Sequence, residues 1–324
     1  MTLPHATTPL PSVAGAPSIR QTEKRPHPEG HALPVRLALQ GTAPAGLRYA
    51  LTCYWEARHA GRVQRTTLEK ELTLHYLPVS AERARLTYLE APPVLRKPDL
   101  SAFEKAVLLL ASLYQHLELD VSPTGQLLAL HNHAAILETW DAVEQELVRR
   151  SAGEDDVTQD LRTAMGTLLQ DPANLLASLG YDYAFGWLLP DFYGQRFESG
   201  WRYVRPRSFD RFFAGADLCF MERLELGSAP ADGQATLHLR GTLDPIRTDL
   251  AAVAQQVDAE REAARAADPA PATEPAAISG TYDATYQLDR DTGWPVTLDV
   301  SVRCRAGAEY SKEYFFRLEQ LPAS

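Results

Sequence analysis

The stretch Leu47-Arg-Tyr-Ala-Leu-Thr-Cys-Tyr-Trp55 decides the fold. Leu47, Tyr49, Leu51, Cys53 and Trp55 fall on one side of an extended chain, and Arg48, Thr52 and Glu56 fall on the other. A two-residue period marks a half-buried strand, because successive strand side chains point to opposite faces. Beyond the turn at Ala60-Gly61 a second strand sets Leu68, Leu72, Leu74 and Tyr76 against Thr67, Glu69, Glu71 and His75. Lys70 interrupts its apolar face. A shorter third strand, Ala84 to Glu90, is closed by Pro92-Pro93.

Working outward, Asp99 or Ser101 caps a helix through Val107, Leu110, Leu113 and Tyr114. A hairpin follows from Leu117 to Leu130, turning at Pro123-Thr124-Gly125. Ile136, Leu137, Trp140, Val143 and Leu147 recur at helical spacing over 134–150. The middle reads as helical, with a Val157–Leu169 stripe, a restart at Asp171-Pro172 and a stop at Gly180.

The second half repeats the order. Strands are expected near Trp201–Arg205, Asp217–Leu226 and Gln234–Leu239, then a helix opening at Asp244-Pro245. A linker of alanine and proline over 270–277 leads to a hairpin from Tyr282 to Leu298 and a final strand from Glu309 to Leu318. Leu119-Asp120…Thr124-Gly125 and Leu288-Asp289…Thr292-Gly293 hold the same place in each half, which hints at internal duplication. The expected fold is therefore α+β and antiparallel. It has two related curved sheets, each packed on helices and joined by a helical bridge. The expected boundaries are a proline-rich disordered tail (1–34), a first β-rich unit (35–150), an aromatic helical bridge (151–195) and a second β-rich unit (196–324).

Bulk properties narrow the function. The 324 residues carry 42 acidic against 32 basic side chains, a net charge of −10 that repels nucleic-acid backbones and anionic membranes. No apolar run approaches the roughly eighteen residues of a membrane helix. The N-terminus shows neither a basic region nor an apolar core of a secretory signal. Cys53, Cys219 and Cys304 lie far apart within strand-like runs, the usage of buried hydrophobes in a reducing compartment. Together these lead to the expectation of a cytoplasmic protein.

The Tyr282–Leu298 hairpin and the long alternating strands resemble the antiparallel half-barrels of bacterial lipoprotein-carrier type, in which a curved sheet wraps one or more helices. The resemblance implies a concave apolar face able to hold an acyl chain or a partner's segment. The absence of a visible secretory signal departs from those carriers.

Three candidate sites stand out. His131-Asn132-His133 spells a nuclease triplet, but contiguous letters joining a strand to a helix read as a loop and cap. As alternative metal ligands, His131 and His133 share a face and lack a third partner. The run from Tyr181 to Tyr203 is dense in aromatics. Its Tyr183, Trp187, Phe192, Tyr193, Trp201 and Tyr203 suit either a buried core or a partner surface. Arg196, Arg202, Arg205, Arg207 and Arg211 interleave with rings over 196–213, a pattern open to single-stranded nucleic acid or to a strand with rings inward and guanidiniums in water. No hydrolase elbow, phosphate loop or dinucleotide turn is present. The expectation is a non-catalytic binding or assembly protein for a protein partner or apolar ligand, with no cofactor. A metal-dependent hydrolase using His131 and His133 is the alternative, and nucleic-acid binding comes third.

Overall fold

The computed structural model describes residues 20–24, 35–43, 45–59, 62–97, 99–150, 156–197, 201–213, 216–227, 233–265 and 277–322. Within the expected tail, β1 (Arg20–Lys24) is a strand, and the rest of 1–34 lies outside the described residues. After β2 (Val35–Arg36), the first half runs β3 (Leu47–His59), β4 (Arg62–Pro78), β5 (Ala84–Glu90) and β6 (Val94–Leu95). Helix α1 (Ala102–Leu110) then leads to the hairpin β7 (His116–Val121) and β8 (Leu127–Leu130). Four helices follow: α2 (His133–Arg150), α3 (Asp156–Leu169), α4 (Pro172–Gly180) and α5 (Tyr183–Leu188). The second half holds β9 (Arg196–Phe197), β10 (Trp201–Phe213), β11 (Ala216–Leu226) and β12 (Gln234–Leu243). It continues with α6 (Leu250–Arg265), β13 (Ile278–Asp289), β14 (Pro295–Ala306) and β15 (Tyr310–Gln320).

The protein is α+β with a large antiparallel sheet. In place of two large sheets there is one, in the order β1-β10-β11-β12-β13-β14-β15-β3-β4-β5-β7-β8 with β6 beside β4, and β2 and β9 form a separate two-stranded pair. The first half is a meander of five neighbouring strands (β3-β4-β5-β7-β8) and the second one of six (β10 to β15), each with a helix inserted between the third and fourth. Strand β15 pairs with β14 on one side and β3 on the other, setting Tyr314 opposite Trp55 and Leu318 opposite Leu51. The two halves are thereby fused edge to edge. Two open edges would each have exposed a row of unpaired backbone groups.

Alternation sorts the strand residues into two faces. Tyr49, Leu51 and Cys53 of β3 join Tyr282, Tyr286, Val300, Tyr314 and Phe316 in one core with the buried faces of the helices. Local chemistry sets the helix ends. Ser101 accepts the Glu104 backbone N–H at 3.2 Å and donates its own N–H to the Glu104 carboxylate at 2.8 Å, a reciprocal cap that begins α1. Helix α6 starts later than Asp244-Pro245 suggests. Asp244 instead closes a separate turn on the N–H groups of Ile246 and Arg247, and Asp249 caps the helix. Ile246, placed on that turn instead of in the helix, is consequently 93% exposed.

The two Thr-Gly turns have a common task. Gly125 and Gly293 both adopt positive φ, 82° and 75°, where a side chain is disfavoured. Each also lies against a crossing backbone. A Cβ on Gly125 would sit 2.7 Å from the Leu189 carbonyl oxygen, and one on Gly293 would sit 2.2 Å from that of Ala38. Segments 37–42 and 189–197 therefore close over the hairpin ends. The closure is held by Gln40 N–H donating to Thr292 O (2.9 Å), Gly194 N–H to Leu37 O (2.7 Å) and the Tyr193 hydroxyl to Gly293 O (2.9 Å).

Candidate functional site

The aromatic run is core. Trp187 is 1% exposed, and Phe192, Tyr193 and Tyr203 are buried with it. Phe185 packs on Tyr88 at 5.0 Å between ring centroids, while Trp187 packs on Phe209 at 5.6 Å and Tyr282 at 6.0 Å. Tyr183 is partly buried and donates its hydroxyl to the Asp210 carbonyl at 2.8 Å. Of the two readings open to these rings, core or partner surface, burial is the one found: they plug the sheet around the short helix α5, because burial of large rings is the strongest drive available to this segment. Trp201 is placed in β10 opposite Lys24, and its side chain lies outside the described residues.

Against that apolar interior stands a charged cluster. On β10 the residues Tyr203, Arg205, Arg207 and Phe209 alternate with outward neighbours, so two arginines face the helices with the rings. Water is not their surroundings. Arg205 is 2% exposed, and its Nε donates to Glu222 Oε1 of β11 at 2.5 Å, with Glu222 fully buried. Its Nη1 forms an ion pair at 2.5 Å with Asp191, which is 51% exposed on the segment after α5. Burial opposes the Arg205 charge, and the carboxylates of Glu222 and Asp191 outweigh it, holding the guanidinium pKa above the ordinary value.

The Tyr282 hydroxyl donates to the second Glu222 oxygen. Gly241 makes this reach possible. It lies between Glu222 and Tyr282 in the strand register, and a Cβ there would come within 2.3 Å of the Tyr282 ring. Arg207 stacks on Trp187 at 4.3 Å and approaches Glu222 at 3.7 Å. Arg205 Nη1 and Nη2 and Trp187 Nε1 are buried without a hydrogen-bond partner among the described residues. Such groups are rare in folded proteins, and each costs about 1–3 kcal/mol.

A cleft of roughly 100 Å³ opens beside this cluster, between α5 and β10. Arg207, Trp187, Tyr183 and Phe209 line it, and Asp182 and Asp210 stand among its lining residues. Asp182 caps α5 by accepting the Ala184 N–H at 2.7 Å, and Asp210 accepts the Ser208 hydroxyl at 2.6 Å. A smaller counterpart flanks α5 on the other wing. There Lys70 pairs with Glu90 at 2.6 Å, and the Tyr88 hydroxyl donates to the same carboxylate. Cys53 and Cys304 are buried free thiols, and burial pushes both up to about 12.

The histidines are engaged separately. His131 Nε2 lies 3.0 Å from Asp120, and His133 Nε2 lies 2.7 Å from the Leu169 carbonyl. Asn132 between them accepts the Glu118 N–H and donates to the His116 carbonyl, at 3.0 and 2.8 Å. Among the described residues no group of three or more histidine, cysteine or carboxylate side chains converges for a metal ion. The pair therefore gains no structural support as metal ligands. The nucleic-acid reading loses its basic ladder, since Arg205 and Arg207 point inward and Arg202 pairs with Glu225.

Burial raises the Asp120 pKa, but hydrogen bonds with His131 and Arg85 prevail and hold it below the usual carboxylate range. A depressed carboxyl contributes stability above its unfolded pKa that is lost as pH falls through the folded one. Asp120→Asn should therefore cost about 1–2 kcal/mol at neutral pH. In urea titrations the gap to the wild type should narrow progressively below the carboxylate range. A gap that stays constant with pH would refute this assignment.

No family model matches the chain, and no curated protein matches it. Among solved structures, an outer membrane channel from Pseudomonas putida F1 aligns over 87% of this chain and 97% of its own, at 7% identity and a TM-score of 0.13. A likeness of that size carries no argument. Among the described residues no helix is long and apolar enough to cross a membrane.

Proposed function

We propose that this chain is a non-catalytic binding or assembly protein whose binding site is the cleft between α5 and β10. The observation that carries this reading is Arg207, which lines the cleft and approaches the buried Arg205–Glu222 pair behind it, with buried donors on Arg205 and Trp187 that no described residue satisfies. Charged groups removed from water inside an apolar core seldom repay their desolvation as stability, which makes such a cluster a functional candidate. Cleft size argues for a small ligand or a single inserted side chain of a protein partner, since sites for drug-sized molecules span about 300–1,000 Å³. An acyl chain held on the inner face, as the lipoprotein-carrier resemblance implies, would have to displace α5, because Phe185, Trp187 and Leu188 fill that space. The buried reduced thiols favour a reducing setting such as the cytoplasm.

Native mass spectrometry of the gently purified protein tests the reading. A bound species should accompany the wild type and fall at least several-fold in Arg207→Gln at unchanged circular dichroism. Bare protein in both samples, or turnover of a substrate in the cleft, would defeat it.

A further inference from the structure

Asp191 and Glu222 hold the same guanidinium in unlike ways. Glu222 is fully buried, and Asp191 is half in solvent on the turn that follows α5. The four charges of Arg205, Arg207, Glu222 and Asp191 sum to zero, so withdrawing Asp191 leaves two guanidiniums facing one carboxylate. Asp191 also serves Arg205 incompletely: its Oδ1 lies 2.5 Å from Nη1 as an ion pair, yet neither Nη1 nor Nη2 has a well-aligned hydrogen-bond partner among the described residues. A free oxyanion would span both terminal nitrogens, the bidentate geometry that guanidinium favours.

We propose that Asp191 is a built-in placeholder for an anionic ligand group, a carboxylate or phosphate that displaces it and binds Arg205 and Arg207. This rests on the proposed binding site: Arg207 lines the cleft, Arg205 and Asp191 lie outside its lining, and the anion takes the half-exposed position of Asp191. Exchange needs only the half-exposed partner to swing away, so the buried Arg205–Glu222 pair remains in place. A ligand anion restores neutrality and satisfies Nη2.

The test compares full-length wild type with Asp191→Asn. Each is titrated with sodium acetate and sodium phosphate against sodium chloride at matched ionic strength, with acetamide as a neutral probe. The readouts are the thermal midpoint and the Trp187 indole N–H signal, assigned by its loss in Trp187→Phe. In the variant, acetate or phosphate should raise the midpoint and move the indole signal saturably, at about tenfold lower concentration than in the wild type. Which anion is stronger tells a carboxylate from a phosphate ligand. Equal responses to all sodium salts in both proteins would overturn the placeholder. Movement of the indole by acetamide alone would also overturn it while leaving the cleft as a binding site. Should Asp191→Asn fail to fold, Asp191→Ser takes the same titrations.

Discussion

Glu222→Ala should lower stability by about 3–5 kcal/mol, the cost of leaving one member of a buried ion pair alone. Arg205 would then keep only half-exposed Asp191, and the Tyr282 hydroxyl would lose its acceptor. The paired change Arg205→Met with Glu222→Leu should recover most of that loss, because it removes both charges and fills the space with apolar atoms. Urea unfolding of the two variants decides the matter. Equal destabilisation would mean that the cluster holds the fold together by itself. Recovery of stability with loss of the bound species in native mass spectrometry would separate the site's function from its packing.

Gly293→Ala should be nearly as damaging, by about 3 kcal/mol, since it combines a disfavoured backbone conformation with overpacking against backbone that cannot yield. The new Cβ would meet Ala38 O at 2.2 Å and Ala38 C at 2.8 Å. Lifting the 37–42 segment also strains the bonds of Gln40 to Thr292 and to the Trp294 indole. Gly233 supplies the control: it has φ of 78° with no atom within 4 Å of its Cβ position, so Gly233→Ala isolates the backbone cost of about 1 kcal/mol. Gly125→Ala should fall between them, with its contact to Leu189 O at 2.7 Å. Melting curves of the three variants should rank Gly293, Gly125, Gly233. Equal shifts would show that the crossing segments move freely.

The strands were legible because a two-residue period survives any tertiary arrangement. Leu47–Trp55 and Tyr282–Leu298 read as strands whichever neighbours they pair with. The joining of the halves was not legible, since nothing in Glu309–Leu318 says that both its edges are occupied. The charged cluster had left a signal. Arg205 and Arg207 share parity with Tyr203 and Phe209, so rings inward with these two guanidiniums in water was never available to a regular strand. Glu222 likewise shares parity with Phe220 and Leu224, and Lys70 with Leu68 and Leu72. A charge in phase with an apolar face was the mark of both buried pairs. Asp191 carried no such mark, because it lies in a turn without a period. The Asp244 cap misled for a simpler reason: an aspartate–proline pair starts isolated turns as readily as helices.

The fusion of the halves through β15 also governs how the chain reaches its folded form. Tyr54 and Glu313 touch across that seam although 259 residues separate them. A ribosome adding about 5–20 residues per second would leave the β3 edge bare for some tens of seconds before its partner emerges. During that interval a nascent chain presents a long strand edge of Leu51, Cys53 and Trp55 to its neighbours, the geometry that invites pairing between molecules. Crowded overexpression should therefore favour inclusion bodies, and slowed synthesis with abundant chaperone should favour recovery of the native protein.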